Sequence, residues 1–233
     1  MSASAVSLSP GSLRFWQTTV GKKAIMAVTG FILFGFIVGH LLGNLQIYQP
    51  PEKINHYSEF LKAHPGPLWG ARLTLLLAVF LHIWSSFQLW LLQREARPIA
   101  YVKKANIAST YASRTMMWSG PIILAFLIFH LLHFTFGAVH PGGPFDPHNV
   151  YNNVVYGFQV WPVSLFYIVA MIMLCYHLYH GLWSMFQSLG FSHPVYTPWL
   201  KLAAKVIAIL IAIGNISIPV AVLAGCIKPV TGA

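Results

Sequence analysis

Six histidines lie inside runs of otherwise apolar sequence: His40, His82, His130 and His177, with His133 and His180 each one helical turn beyond the last two. An imidazole can carry a proton, donate a hydrogen bond, or bind a metal through one ring nitrogen. A single ring of this kind has an ordinary explanation as a polar link between packed helices or the lining of a polar cavity. Four of them on four separate apolar segments point to a site, because ionisable side chains within a membrane are costly and mark function.

The segments that must carry them number five, roughly Ala24–Leu42, Leu73–Leu92, Met116–Val139, Val160–Gln187 and Leu202–Cys226. Crossing a hydrocarbon core as a helix takes about 20 mostly apolar residues, which these runs supply. The 233-residue chain is 57% hydrophobic and 8% charged, where a soluble domain carries about 25% charged residues. Long continuous runs exclude a closed barrel, whose strands alternate over short segments. The expected fold is therefore all-α, an integral membrane bundle of five transmembrane helices making a single membrane domain over residues 1–233. No separate apolar stretch and no small-residue cleavage site precede the first span, so it is read as retained.

Charge sets the orientation. Arg14, Lys22 and Lys23 precede the first span, Arg94, Arg97, Lys103, Lys104 and Arg114 lie between the second and third, and Lys201 and Lys205 follow the fourth. Positive loops stay inside, which places the N-terminus on the cytoplasmic face of the cell's inner membrane. The loop with Glu52, Lys53, Glu59, Lys62 and Arg72 is mixed, and the HPGGPFDPHN loop has Asp146 and neither Lys nor Arg, so both face outward. Trp16, Tyr48, Trp69, Trp118, Trp161 and Trp199 sit near span ends, as interfacial aromatic belts do. The net charge of +10 thus reports topology and contacts with anionic lipid or protein, not nucleic acid. The two cysteines, Cys175 and Cys226, are far apart and form no C-x-x-C pair, which excludes iron–sulfur clusters, structural zinc and covalently attached haem.

Helix direction then sorts the histidines by depth. With helices one and three running outward and two and four inward, a rise of about 1.5 Å per residue puts His40 and His130 roughly 21–24 Å from the inner surface. The same rise puts His82 and His177 roughly 15 Å from it. Two imidazoles at one depth on different helices suit a six-coordinate, bis-histidine haem b in an apolar slot between helices. Two levels imply two haems, an outer one on His40 and His130 and an inner one on His82 and His177, with His133 and His180 as alternatives one turn away. Gly30, Gly35, Gly39, Gly120 and Gly181 would widen the slot, although helix packing explains such glycines equally well. Lys23 and Arg114 suit the propionates of the inner haem and Arg72 those of the outer one, while positive-inside placement also accounts for the first two. Glu52, Glu59, Glu95 and Asp146 all lie outside the deep parts of the spans, which disfavours another kind of metal centre or a buried-acid proton relay.

The run GKKAIMAVTG leading to GHLLGNLQIY, then NHYSEFL, LWGARL, REARPIAY, YASRTM, FHLLHFTFG and HLYHGLWSMFQSLG, closely resembles the cytochrome b membrane-anchor subunit of succinate dehydrogenases and fumarate reductases, of the single-chain, five-helix, di-haem b558 type. The resemblance covers nearly the whole chain. It implies electron transfer between a flavoprotein and iron–sulfur subunit pair on the cytoplasmic face and a membrane quinone, usually menaquinone, with succinate chemistry in the partner subunits. It implies His40, His82, His130 and His177 as haem ligands, favouring the first histidine of each close pair. It also implies a quinone site near the outer haem, where the sequence offers Asn44, Gln46, Asn55, Tyr57 and Glu59; a solvated loop with helix caps explains these residues as well. The complex would form higher oligomers in some arrangements. A cytochrome b anchor of another quinone-linked dehydrogenase or of a hydrogenase is the runner-up. A histidine-lined transporter predicts no haem absorption, and a purely structural anchor leaves the histidines unexplained.

Overall fold

The structure, a computed structural model, describes residues 14–97, 99 and 109–230. Lys103 and Lys104 of the basic connection lie outside the described residues. The chain forms α1 (Thr19–Asn44), α2 (Pro51–Lys62), α3 (Pro65–Glu95), α4 (Tyr111–His130), α5 (Val150–Gln159), α6 (Trp161–Ser188) and α7 (Thr197–Leu223). Among the described residues five helical stretches, built on α1, α3, α4, α6 and α7, are long and apolar enough to cross a membrane.

Local chemistry sets their ends. The Thr18 and Thr110 side chains accept from the Gly21 and Ser113 amides and cap α1 and α4. Prolines stand in the first turns of α2, α3, α6 and α7, where their missing amide costs no helical bond. Beyond His130 the fourth helix widens into a π turn, Leu131–Thr135, with the Phe136 amide on the Leu131 carbonyl at 2.9 Å. Gly137 follows at φ 64°, a left-handed conformation, so this span ends short of Val139. The third element, by contrast, begins at Pro65, a full two turns before Leu73.

The two segments read from sequence as outward loops are partly helical. α2 and α5 lie together across one end of the bundle, hereafter the capped end. The Asn55 carboxamide joins them, accepting from the Tyr151 amide at 2.9 Å and donating to Asn149 Oδ1 at 3.4 Å. A core of Ile47, Ile54, Tyr151, Val155, Phe158, Tyr167 and Val222 fills the space beneath. The C-terminal segment is fastened there too, Asn152 exchanging two hydrogen bonds of 2.9 Å with the Val230 backbone.

α1 and α6 are the central helices. α1 packs on α3 and α6, and α6 packs on α1, α4 and α7. Leu41, Leu178, Leu182, Ala204, Ala208 and Ile211 close the seam among α1, α6 and α7. Side chains such as Phe31, Leu73, Leu76, Phe80 and Leu210 point outward and are more than half exposed. An apolar exterior of this extent belongs against lipid tails, and the chain is a multi-pass membrane protein.

Candidate functional site

The histidines meet across the bundle, between helices that are not close neighbours. His40 on α1 faces His130 on α4 with ring centres 5.7 Å apart and planes at 88°. His82 on α3 faces His177 on α6 with ring centres 6.2 Å apart and planes at 54°. Neither α1 with α4 nor α3 with α6 packs closely along the backbone among the described residues, so each pair spans a gap that only long side chains or a further group would fill. The first pair lies toward the capped end and the second toward the opposite end.

The ring nitrogens carry a directional message. His82 Nδ1 lies 3.1 Å from the Met26 carbonyl, which can only accept, so this nitrogen carries the proton and Nε2 keeps its lone pair. Thr29 Oγ1 stands 3.3 Å from the same nitrogen. His177 Nδ1 lies 3.3 Å from the fully buried Ser119 hydroxyl, which itself donates to the Met116 carbonyl at 3.4 Å and so is left to accept from His177. Such an acceptor behind the ring is the usual support of a metal-binding histidine. His130 Nδ1 has the Tyr167 hydroxyl at 3.3 Å, and its ring is flanked by Phe126 and Phe134. His40 stacks on Phe36 at 5.2 Å.

The second histidine of each close pair goes elsewhere. His133 is fully buried, stacks on Phe134 with ring centres 3.8 Å apart and turns toward Gly157 of α5. His180 sits edge-on to Trp183, and its Nδ1 is buried without a hydrogen-bond partner among the described residues. Neither faces a histidine of another membrane-crossing helix.

Glycine placement separates two roles that the sequence left joined. A Cβ on Gly30 would stand 3.3 Å from His82 Cε1, so this glycine lets α1 and the His82 ring approach. Gly35, Gly39, Gly120 and Gly181 would meet no atom of another element within 4 Å and border open space instead of a helix contact.

The charged and polar candidates are more scattered. Lys23 is exposed; Arg72 and Arg114 are exposed and lie over the rings of Trp69 and Tyr111 on their own helices, at 5.0 and 5.9 Å. Asn55 is committed to joining α2 and α5. Glu59 forms an exposed cluster with Lys62 at 3.0 Å and His148 at 3.2 Å, and Lys62 also donates to the Pro147 carbonyl. The hydrogen bond from Lys62, then the contact with His148, hold the Glu59 carboxyl below its usual value. Tyr57 lies against Gly43 near the end of α1, while Asn44 ends that helix and Gln46 belongs to the turn after it. A separate apolar groove of about 280 Å³, lined by Phe129, Pro162, Val163 and Phe166, opens between α4 and α6.

The pairs stand as twos. Among the described residues no three His, Cys, Asp or Glu side chains converge as a set that would hold a metal ion by themselves. The residues sequence reading missed are Tyr167, Ser119 and Thr29, ordinary polar residues whose only signal was their place in apolar helices.

The profile of the succinate dehydrogenase/fumarate reductase transmembrane subunit family matches residues 91–216, more than half of the chain, and that segment contains His130, His133, His177 and His180. No curated protein and no solved structure matches significantly.

Proposed function

This chain belongs to the succinate dehydrogenase/fumarate reductase transmembrane subunit family, and we propose that it is a di-haem cytochrome b anchor of such a complex in the cytoplasmic membrane. In this reading His40 with His130, and His82 with His177, would hold the iron of two haems b. The observation that carries it is the spacing of the two ring pairs, 5.7 and 6.2 Å. A metal ion bound at about 2 Å by each of two opposed imidazoles separates the ring centres by roughly 6 Å. The absence of a third protein ligand among the described residues suits a macrocycle that brings four donors of its own.

When bound, the haems would supply one-electron carriage between a cytoplasmic iron–sulfur subunit and membrane quinone, its direction set by the partner subunits and the quinone pool. The chain's own residues hold and orient. The Met26 carbonyl and the Ser119 hydroxyl fix the protons of His82 and His177 on Nδ1 and leave Nε2 free to bind. Gly35, Gly39, Gly120 and Gly181 border open space on the helices that carry His40, His130 and His177. Flavin and iron–sulfur chemistry falls to a flavoprotein and an iron–sulfur partner. The quinone, menaquinone by the resemblance, is placed near the capped-end pair, with Asn44, Gln46 and Tyr57 as the polar side chains left for it once Asn55 and Glu59 are committed elsewhere.

The test is a pyridine haemochrome assay with a reduced-minus-oxidised spectrum on the chain purified in mild detergent. Two low-spin haems b per chain are expected. A folded protein without haem would overturn the reading.

A further inference from the structure

At the capped end one phenol stands between two histidines. The Tyr167 hydroxyl lies 3.3 Å from His130 Nδ1 and 3.0 Å from His133 Nδ1, and the residue is 6% exposed. One hydroxyl has one proton, so it donates to one ring while accepting from the other. The His133 ring is fixed on its remaining sides. It stacks on Phe134, a Cβ on Gly157 would stand 2.5 Å from its Nε2, and that Nε2 has no hydrogen-bond partner among the described residues. His133 therefore engages the network through Nδ1 alone.

Two proton arrangements satisfy these distances. In the first, His130 Nδ1–H donates to Tyr167 and the Tyr167 O–H donates to His133, so His130 Nε2 keeps a lone pair. In the second the directions reverse, and His130 Nε2 carries a proton that blocks metal binding.

We propose that Tyr167 and His133 are the positioning residues of the His130 ligand, and that ligation selects the first arrangement. This rests on the di-haem reading above. Tyr167 holds the His130 ring toward His40 and accepts its Nδ1 proton; His133, by accepting from the phenol, makes that oxygen the stronger acceptor. An imidazole whose distal N–H is so engaged donates more strongly to iron and favours the ferric state. The chain thus sets the potential of its two haems by different means, a phenol–imidazole relay at one and a carbonyl and an aliphatic hydroxyl at the other.

Redox potentiometry and electron paramagnetic resonance of the low-spin signals test this on the full-length chain, with alanine variants at His40 and His82 assigning each haem. Tyr167→Phe is expected to retain two haems, raise the potential of the capped-end haem and shift its resonance, leaving the other unmoved. A ten-fold loss of ferric preference corresponds to about 59 mV for one electron. His133→Phe keeps the ring stack and removes the acceptor; it is expected to move the same haem in the same direction by less. Ser119→Ala is expected to move only the haem on His177. Two haems with unchanged potentials and resonances in Tyr167→Phe would overturn the inference alone, as would a shift confined to the His82–His177 haem. Should Tyr167→Phe fail to fold, the same two readouts on His133→Phe decide. No haem in the unmodified chain would overturn the functional reading and the inference with it.

Discussion

The two histidine pairs are alike in span and unlike in support. Toward the uncapped end, His82 and His177 rest on groups from neighbouring helices, the Met26 carbonyl and the Ser119 hydroxyl, that belong to regular helical backbone or short side chains. Toward the capped end, His130 rests on Tyr167, and Tyr167 rests on His133, which sits in a π turn against α5. The first support is made by the helices that cross the membrane. The second depends on the cap. The difference teaches that one pair follows from bundle packing alone, while the other is coupled to the surface helices and to whatever happens there.

The largest expected effects test whether the pairs are independent. His40→Ala and His130→Ala should each lower the haem count from two to one and remove the same spectral component, and His82→Ala and His177→Ala should remove the other. Loss of both haems from any one variant would break the comparison, because the pairs would then be a single unit.

Glycine substitutions sharpen it. Gly157→Ala sets a methyl 2.5 Å from His133 Nε2, and Gly30→Ala sets one 3.3 Å from His82 Cε1. Overpacking of this kind costs about 1–3 kcal/mol, and the capped-end variant should stand at the upper end of that range in thermal unfolding. Equal losses would mean that the cap yields as readily as the membrane helices do.

Detaching the cap is the next step down. Asn55→Ala leaves the Tyr151 amide without its acceptor, which should cost about 1–2 kcal/mol and expose α5 backbone to hydrogen exchange ahead of α6. Exchange rising equally in α3 would contradict the division between the two ends.

The smallest effect is electrostatic. Because Lys62 and then His148 hold the Glu59 carboxyl below its unfolded value, its contribution is full above the ordinary carboxylate range and is lost as pH falls through that range. Thermal midpoints followed from about pH 6 down to about pH 3 should therefore drop slightly more in the native chain than in Glu59→Gln. The cluster is exposed, so screening by salt should shrink the difference further.

Much of this was legible in the residues. A constant rise per residue is enough to sort four histidines by depth, and depth alone groups the rings that the structure sets 5.7 and 6.2 Å apart. The spacing favours neither His130 nor His133, because residues three apart share a helix face, and only the resemblance favours the first; that a π turn and Gly157 give the two rings different neighbours was not legible. α5 was hidden because a short amphipathic helix rich in Asn and Tyr reads as a loop when judged against spans of about 20 apolar residues. The five quinone candidates were chosen for polarity near one end, and polarity does not distinguish a ligand contact from a strut such as Asn55. Tyr167 was out of reach for a simpler reason: its partners are 34 and 37 positions away.

The placement of the pairs also bears on biosynthesis. α1 and α3 form one hairpin and leave the ribosome first, while α4 and α6 follow from the second half of the chain. Each pair takes one histidine from the early half and one from the late half. A nascent chain that has inserted only its first hairpin therefore displays His40 and His82 as single rings, unable to close either pair. The His40–His130 pair becomes possible once α4 is in the bilayer and the His82–His177 pair only once α6 follows, so the two pairs close in order, the capped-end one first.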